Sequence, residues 1–272
     1  MVQVQIVAQI AEPGLREIVM ALLIEEGYDG FEENDEQLIA YIANDKFVEQ
    51  DLRNIFVQFE LSYTVTNIPE QNWNKLWEDN FQPVIVGDFC TVKADFHDLK
   101  HTTVHEIIIN PKMSFGTGHH ATTQLMIQQM KGMDFASKSV LDFGTGTGIL
   151  AILSEKLGAT EILAIDNEDW SFANGVENVS RNNCLHITVK KGSLETVSDQ
   201  RFDMILANIN RHILLQYMNQ MYSILNTSGV LLLSGILVED REIILQSAQD
   251  SGLKFVSEQI LNNWMAMQFV RE

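Results

Sequence analysis

A loop near the middle of the chain has the residue types and spacing needed to bind a cofactor through its backbone. Residues 139–148 read SVLDFGTGTG, so an apolar run ends in Gly144, Gly146 and Gly148. Glycine adopts positive φ in sharp turns and leaves the backbone bare where a ligand lies against it. Because the loop contains neither Lys nor Arg, it is a poor phosphate-binding P-loop, and its glycine spacing differs from the dinucleotide fingerprint. The pattern favours another nucleoside-type ligand.

An acidic residue follows this loop at the place where a nucleoside needs a hydrogen-bond acceptor. We predict a helix over residues 149–157 and a strand over 161–165, which Asp166 directly follows. A carboxylate at such a strand end accepts hydrogen bonds from the two ribose hydroxyls of a ligand over the glycine loop. Asp142 adds a second acid two positions before the first glycine. This combination resembles the Rossmann-like methyltransferases that use S-adenosylmethionine (SAM). The alternative is an ordinary α/β turn whose glycines only let a helix pack closely.

Strands and helices alternate through the C-terminal two thirds of the chain. Asn208 follows the predicted strand 202–207, and ligands of α/β sheets bind at strand ends, so we expect Asn208 in the crevice. The last two predicted strands, 255–261 and 264–270, are joined by a short turn and should form an antiparallel hairpin. The predicted fold class is α/β, with a Rossmann-like SAM methyltransferase domain whose seven-stranded sheet ends in this hairpin. Such a hairpin distinguishes methyltransferases from dinucleotide dehydrogenases.

A second glycine-containing segment precedes the glycine-loop strand. Residues 110–123 read NPKMSFGTGHHATT and lead into a predicted helix over residues 124–130. We therefore expect Thr123 to reach the same ligand from above. His119 and His120 are candidate acid/base groups, although adjacent histidines more often cap or orient their neighbours.

Residues 1–68 have the pattern of a separate small domain. Hydrophobic periodicity predicts the order βαββαβ, which is the ferredoxin-like α+β pattern. The segment contains 3 basic and 13 acidic residues, a net charge of −10. Such a surface is either solubilising or a docking surface for a basic partner. We expect a helical linker over residues 69–82, carrying Trp73 and Trp77, and a methyltransferase domain over residues 83–272.

The composition indicates what kind of partner the protein binds and in which compartment it is located. The 272 residues have a formal net charge of −19 and no basic cluster longer than Lys190-Lys191. We therefore expect a basic protein partner and no direct binding to nucleic acid, whose phosphates need a cationic face. Cys90 and Cys184 have no metal-ligand spacing, and we predict no metal site. Because we find no signal-like start and no apolar run of the ~18 residues that a membrane span needs, we expect no membrane contact and a cytoplasmic location.

Four stretches of the sequence together resemble the bacterial ribosomal protein L11 methyltransferases, the PrmA family. They are NWNKLW at 72–77, FGTGHHATT at 115–123, VLDFGTGTGILAI at 140–152 followed by Ile165-Asp166-Asn167, and LANI at 206–209 with LLLSGIL at 231–237. Two departures from the family pattern stand out. The usual GCGSG is GTGTG here, and a proline common before the threonine pair is Ala121. We expect the first change to leave the glycine turn intact and the second to affect only the local stiffness of the chain.

The resemblance implies a cofactor, a set of site residues and a reaction. The family's cofactor contacts fall on Thr123, Gly144, Asp166 and Asn208, Gly146 belongs to the same loop, and Asn208 is the catalytic candidate. The implied reaction transfers methyl groups from SAM to lysine ε-amines and the N-terminal α-amine of ribosomal protein L11, and it leaves S-adenosylhomocysteine. The acidic small domain would then recognise the protein substrate.

The residues after Asn208 distinguish between classes of acceptor. Enzymes that methylate planar amides or exocyclic base amines resemble one another in carrying Asn/Asp-Pro-Pro-Tyr/Phe here, where the aromatic ring grips a flat group. This chain has Ile209-Asn210-Arg211 instead, which favours a tetrahedral amine. The alternatives that stay open are another basic protein, a nucleic-acid or glutamine amino group, and an inactive SAM-binding module. A dinucleotide oxidoreductase is disfavoured by the glycine spacing and the terminal hairpin.

Overall fold

The chain divides into two compact units, residues Met1–Phe81 and Gln82–Glu272. A computed structural model describes residues 3–33, 36–68, 82–97, 103–110 and 116–272. Residues 69–81 of the expected helical linker, including Trp73 and Trp77, lie outside the described residues. The domain boundaries at residues 68 and 83 therefore stay a prediction.

The N-terminal unit is a four-stranded antiparallel sheet with two helices. Its elements are β1 (Gln3–Gln9), α1 (Pro13–Glu25), β2 (Gly30–Glu33), β3 (Gln37–Ala43), α2 (Glu49–Gln58) and β4 (Tyr63–Ile68), and the strand order is β2-β3-β1-β4. Every second residue of β1 and β3 enters one core with Leu23 and Phe56, as the two-residue period of a strand requires. This confirms the ferredoxin-like βαββαβ order. Helix α2 begins at Glu49, and before it the Lys46 N–H closes a turn on Ala43 O at 2.9 Å.

The C-terminal unit begins with a small sheet. Strands β5 (Val84–Val86) and β6 (Cys90–Lys93) are antiparallel, and β7 (His105–Ile108) runs parallel to β6. Helix α3 (Ala121–Met130) follows and leads to the main sheet.

The main sheet has seven strands in the order β10-β9-β8-β11-β12-β14-β13. The strands are β8 (Ser139–Phe143), β9 (Glu161–Asp166), β10 (Ile187–Lys191), β11 (Phe202–Asn208), β12 (Leu225–Leu237), β13 (Leu253–Leu261) and β14 (Trp264–Arg271). Neighbouring strands from β10 to β12 pair in parallel, and β14 is antiparallel to both β12 and β13. The predicted seven-stranded α/β sheet with its terminal hairpin is confirmed.

Helices precede and connect these strands: α3, α4 (Ile149–Lys156), α5 (Asp169–Arg181), α6 (Arg211–Ile224) and α7 (Arg241–Asp250). From β8 the chain proceeds outward to β9 and β10, and it then returns to β11 on the other side of β8. This reversal of strand order leaves a crevice at the carboxyl ends of β8 and β11, which is where open α/β sheets bind ligands.

Candidate functional site

A cleft of about 660 Å³ lies at the carboxyl ends of β8, β9 and β11. This volume is within the range of small-molecule sites. Of the residues predicted from the sequence, Gly144, Gly146, Asp166 and Asn208 line the cleft. Thr123 does not line it, although it contacts Asn208. The contact between Thr123 and Asn208 joins residues that are 85 positions apart in the chain.

The glycine loop has the backbone conformation that its sequence predicts. Gly144, Gly146 and Gly148 have φ values of 75°, 54° and 85°. A Cβ atom on Gly144 would lie 2.3 Å from the Cγ2 atom of Ile209, so no larger residue fits there without displacement. The N–H groups of Gly144 and Thr145 donate to Ile165 O at 2.9 and 3.0 Å, which ties the loop to β9. The loop therefore presents bare backbone to the cleft.

Asp166 holds the glycine loop as well as facing the cleft. Its Oδ2 atom accepts the Gly146 N–H at 2.9 Å, and its Oδ1 atom accepts the Glu168 N–H at 3.1 Å. Each carboxylate oxygen keeps a second lone pair that can accept a ribose hydroxyl. The sequence predicted the ribose role from the strand end, but it gave no sign of the bond to Gly146, because that bond depends on how the loop folds back.

Asn208 lines the cleft and has a buried side-chain oxygen without a partner among the described residues. Its side-chain Nδ2 donates to Thr123 Oγ1 at 3.3 Å, and its buried Oδ1 has no hydrogen-bond partner among the described residues. A buried acceptor without a hydrogen-bond partner lowers the stability of the folded chain. A ligand that donates a hydrogen bond to this oxygen would therefore be favoured. Thr123 is 1% exposed and acts on the site by orienting Asn208. The expectation that Thr123 itself reaches the ligand stays a prediction.

His120 caps helix α3. Its Nδ1 atom accepts the Thr122 N–H at 3.3 Å and lies 2.8 Å from Thr122 Oγ1. Its ring meets the Trp264 ring edge to face, with centroids 4.6 Å apart. Because His120 caps it, the helix begins at Ala121, three residues before the predicted start at residue 124. His120 thus orients its neighbours, which is the more common role for adjacent histidines.

Trp264 and Gly235 are among the cleft residues that were not identified from the sequence as parts of a site. Trp264 begins β14 and contributes a wall next to His120. Gly235, at φ 89°, lies where a Cβ atom would be 2.1 Å from the backbone oxygen of Ile209. The glycine of the LLLSGIL stretch was the available signal for this close approach of strand β12 to Ile209, the residue after β11. Nothing in the local sequence around Trp264 indicated that its strand starts at the cleft.

Asp142 is a fully buried acid directly beneath the glycine loop. Its Oδ2 atom accepts bonds from Thr145 Oγ1 at 2.6 Å and from the Ala151 N–H at 3.1 Å. Burial raises the pKa of this carboxyl from 3.8 to about 7, the two hydrogen bonds lower it, and the nearby charge of Asp166 adds to the rise. At neutral pH the group is therefore poised between its neutral and ionised forms.

We expect the Asp142→Asn substitution to flatten the pH dependence of stability. Between the normal and the raised pKa, the unfolded chain releases a proton that the folded chain keeps, so the free energy of unfolding falls as pH rises. The side-chain amide oxygen of the variant would accept the same two bonds, but the amide would not titrate. Urea unfolding at about pH 5 and about pH 7.5 should therefore show the variant gaining stability relative to the parent chain at the higher pH. An equal difference at both values would contradict the assignment.

The described part of the chain contains no group of three His, Cys, Asp or Glu side chains arranged to hold a metal ion. In the same residues, no helix is both long and apolar enough to cross a bilayer.

Comparison with known proteins finds one family along nearly the whole chain. The family model described as ribosomal protein L11 methyltransferase (PrmA) matches residues 10–272. The ribosomal protein L11 methyltransferase of Porphyromonas gingivalis is 42% identical over 260 residues, which cover 93% of this chain and 90% of that one. The protein of the same name from Phocaeicola vulgatus is 38% identical over 263 residues, 94% of each chain.

Solved structures agree with this relationship. A crystal structure of ribosomal protein L11 methylase from Lactobacillus delbrueckii subsp. bulgaricus superimposes with a TM-score of 0.66 at 29% identity, over 71% of this chain and all of that one. A methyltransferase from Pyrococcus furiosus shares the fold, with a TM-score of 0.52 at 18% identity over 61% and 89% of the two chains. The glycine cradle and the unpaired Asn208 oxygen fit the cofactor of such enzymes. The chain is therefore a SAM-dependent methyltransferase and belongs to the ribosomal protein L11 methyltransferase (PrmA) family.

Proposed function

We propose that this enzyme methylates ribosomal protein L11 on lysine ε-amines and on the N-terminal α-amine. The family match carries the proposal, because it extends over residues 10–272 and so includes most of the acidic N-terminal unit as well as the methyltransferase fold. The absence of proline and an aromatic ring after Asn208 supports an amine acceptor over a flat amide or base.

Four residues are proposed to hold SAM, and they contact it in three ways. Gly144 and Gly146 offer bare backbone, and the carboxylate of Asp166 accepts the ribose hydroxyls. Asn208, oriented by Thr123, lies across the cleft from this carboxylate's strand. When bound, SAM supplies an electrophilic methyl group on a sulfonium sulfur.

Asn208 is proposed to align the acceptor amine. Its unpaired Oδ1 atom is an acceptor for an amine N–H, and its backbone is fixed by the parallel pairing of β11 with β12. A lysine amine has a pKa of ~10.4 and reacts only when neutral, so the site must favour loss of its proton. Transfer of the amine from water into the cleft disfavours its charged form. The protein then has mainly to align the two reactants, and we propose that no side chain serves as a dedicated base.

The N-terminal unit is proposed to recognise the protein substrate. Residues 1–68 carry a net charge of −10, and the acidic side chains of α1 and its C-terminal cap are exposed. A surface of this sign attracts basic proteins and repels nucleic acid. We therefore propose direct binding to L11, no direct binding to RNA or membranes, and a cytoplasmic location.

The test is to incubate the full chain with labelled SAM and purified L11 and to locate the label by mass spectrometry. We expect label on lysine side chains and on the N-terminal amine. An adenine-bearing nucleic acid and a glutamine-containing peptide serve as competing acceptors. Faster methylation of either one than of L11 would contradict the proposed acceptor, and faster methylation of another basic protein would contradict the proposed partner.

A second arm of the same experiment tests recognition. Neutralising three exposed acids of α1 and its cap should raise the KM for L11 several-fold and leave the KM for SAM unchanged, because charge attraction acts on the partner only. A matched variant neutralises three exposed acids of the C-terminal unit and should behave like the parent chain. Equal KM values for the two variants would contradict docking on the acidic unit. The variants are Glu17→Gln, Glu25→Gln and Glu26→Gln against Glu161→Gln, Asp199→Asn and Asp250→Asn.

A further inference from the structure

Three asparagines lie on one face of helix α5 and its C-terminal cap. Asn174, Asn178 and Asn182 are spaced four residues apart, so their side chains are stacked along the helix. Asn174 and Asn178 are 1% and 0% exposed. Asparagine is a mediocre helix former, and its amide must find hydrogen-bond partners when it is buried. Three such residues in one stack are therefore explained by the hydrogen bonds that their amides form.

The two outer residues of this asparagine stack form hydrogen bonds with backbone groups of edge strand β7 and of Asn110, which follows it. Asn182 accepts the Ile108 N–H at 2.9 Å and donates to Ile108 O at 2.6 Å. Asn174 donates to Asn110 O at 3.0 Å. These bonds satisfy backbone groups of Ile108, at the edge of the small sheet, and of Asn110.

Asn178, the middle residue, has a second partner in the glycine loop. Its Oδ1 atom accepts the Asn110 N–H at 2.7 Å, while its Nδ2 donates to Thr147 O at 2.8 Å. Thr147 Oγ1 in turn donates to Gly116 O at 2.5 Å. The Asn178 amide thus connects the glycine loop to Asn110, and the Thr147 hydroxyl connects the loop to Gly116.

We propose that Asn178 is a positioning residue for SAM binding, because its amide ties Thr147 O of the glycine loop to the Asn110 N–H. Thr147 O belongs to the same peptide plane as the Gly148 N–H, which donates to Thr145 O at 2.9 Å, so the bond from Asn178 holds one peptide plane of the loop in place. Without the amide, Thr147 O and the Asn110 N–H would both lose the partner that they have in the folded chain. The loop would then adopt its binding conformation only part of the time, and the apparent affinity for SAM would fall by that fraction. The inference rests on SAM binding and is independent of the proposed acceptor.

The experiment compares Asn178→Ala with Asn182→Ala in the full chain. Both variants lose bonds between α5 and the backbone of residues 108–110, but only Asn178 also contacts the glycine loop. We expect Asn178→Ala to raise the calorimetric Kd for SAM about 10-fold, with kcat at saturating SAM within about two-fold of the parent value. Asn182→Ala should lower Tm and leave the Kd for SAM unchanged. Equal changes in Kd for the two variants, or no change for Asn178→Ala, would overturn the proposal.

Two further variants keep the test decisive if Asn178→Ala does not fold. Asn178→Asp retains an acceptor for the Asn110 N–H but cannot donate to Thr147 O when ionised, so it should also weaken SAM binding. Thr147→Val leaves the backbone carbonyl and removes only the hydroxyl that bonds to Gly116 O. It should raise the Kd for SAM in a folded chain, and an unchanged Kd would count against the role of this network.

Discussion

Asp166→Ala should weaken SAM binding by roughly 10- to 100-fold while the C-terminal unit stays folded. Two losses add up in this variant. The ribose hydroxyls would lose the carboxylate acceptor proposed for them, and the Gly146 N–H loses the partner that holds it at 2.9 Å. Asp166 lies at the end of β9 and outside the apolar core, so removing its side chain creates no large cavity there.

Calorimetric titration with SAM, together with thermal unfolding, measures the effect of Asp166→Ala. Asp169→Ala is a matched control, because this exposed acid lies three residues further on and forms an ion pair with Lys191 at 2.6 Å, away from the glycine loop. We expect the control to bind SAM like the parent chain. Asp166→Asn, which keeps one acceptor oxygen, should lie between the two. SAM affinity that is the same in Asp166→Ala as in the parent chain would refute the assignment of Asp166.

Asn208→Ala should lower kcat by roughly 100-fold, and His120→Ala by less than about 10-fold. Asn208 provides the buried Oδ1 atom that has no partner within the described residues, so its loss removes alignment of the acceptor. His120 instead caps α3 and packs edge to face on Trp264, so its loss loosens the wall of the cleft without removing a contact to the reacting amine.

Initial rates at saturating SAM and saturating protein substrate distinguish these roles. Thr123→Val is an informative control, because it removes the hydroxyl that accepts from Asn208 Nδ2 at 3.3 Å and leaves the amide in place. We expect an intermediate loss of kcat for it. In the parent chain the rate should rise with pH as the acceptor amines lose their protons. A larger loss of kcat in His120→Ala than in Asn208→Ala would assign the central role to the histidine instead.

Local sequence was sufficient for the parts of the site that depend on local structure. The turn at Gly144, Gly146 and Gly148 follows from glycine spacing, and Asp166 follows from its place at a strand end. Both are properties of about 30 residues of continuous chain. The order of elements in the two units could be predicted for the same reason, since hydrophobic period is a local signal.

The parts that sequence reasoning missed depend on contacts between distant segments. The bond from Asn208 to Thr123 joins residues 85 positions apart, and Trp264 reaches the cleft only because of where β14 inserts in the sheet. Helix starts also shifted for tertiary or capping reasons. His120 caps α3, whereas the sequence showed only that His119 and His120 are adjacent.

The insertion of β14 between β12 and β13 determines which strands separate first when the edge of the sheet unfolds. At the rim of the sheet, β13 is held through β14, with paired residues from Leu253–Arg271 to Leu261–Trp264. Separation of β14 from β12 would therefore detach β13 from the sheet as well. Because β14 runs opposite to β12, its first residue, Trp264, lies at the catalytic edge. A partial opening of this hairpin would dismantle one wall of the cleft while the other strands of the sheet stay paired, so the enzyme would lose its catalytic competence before its global fold.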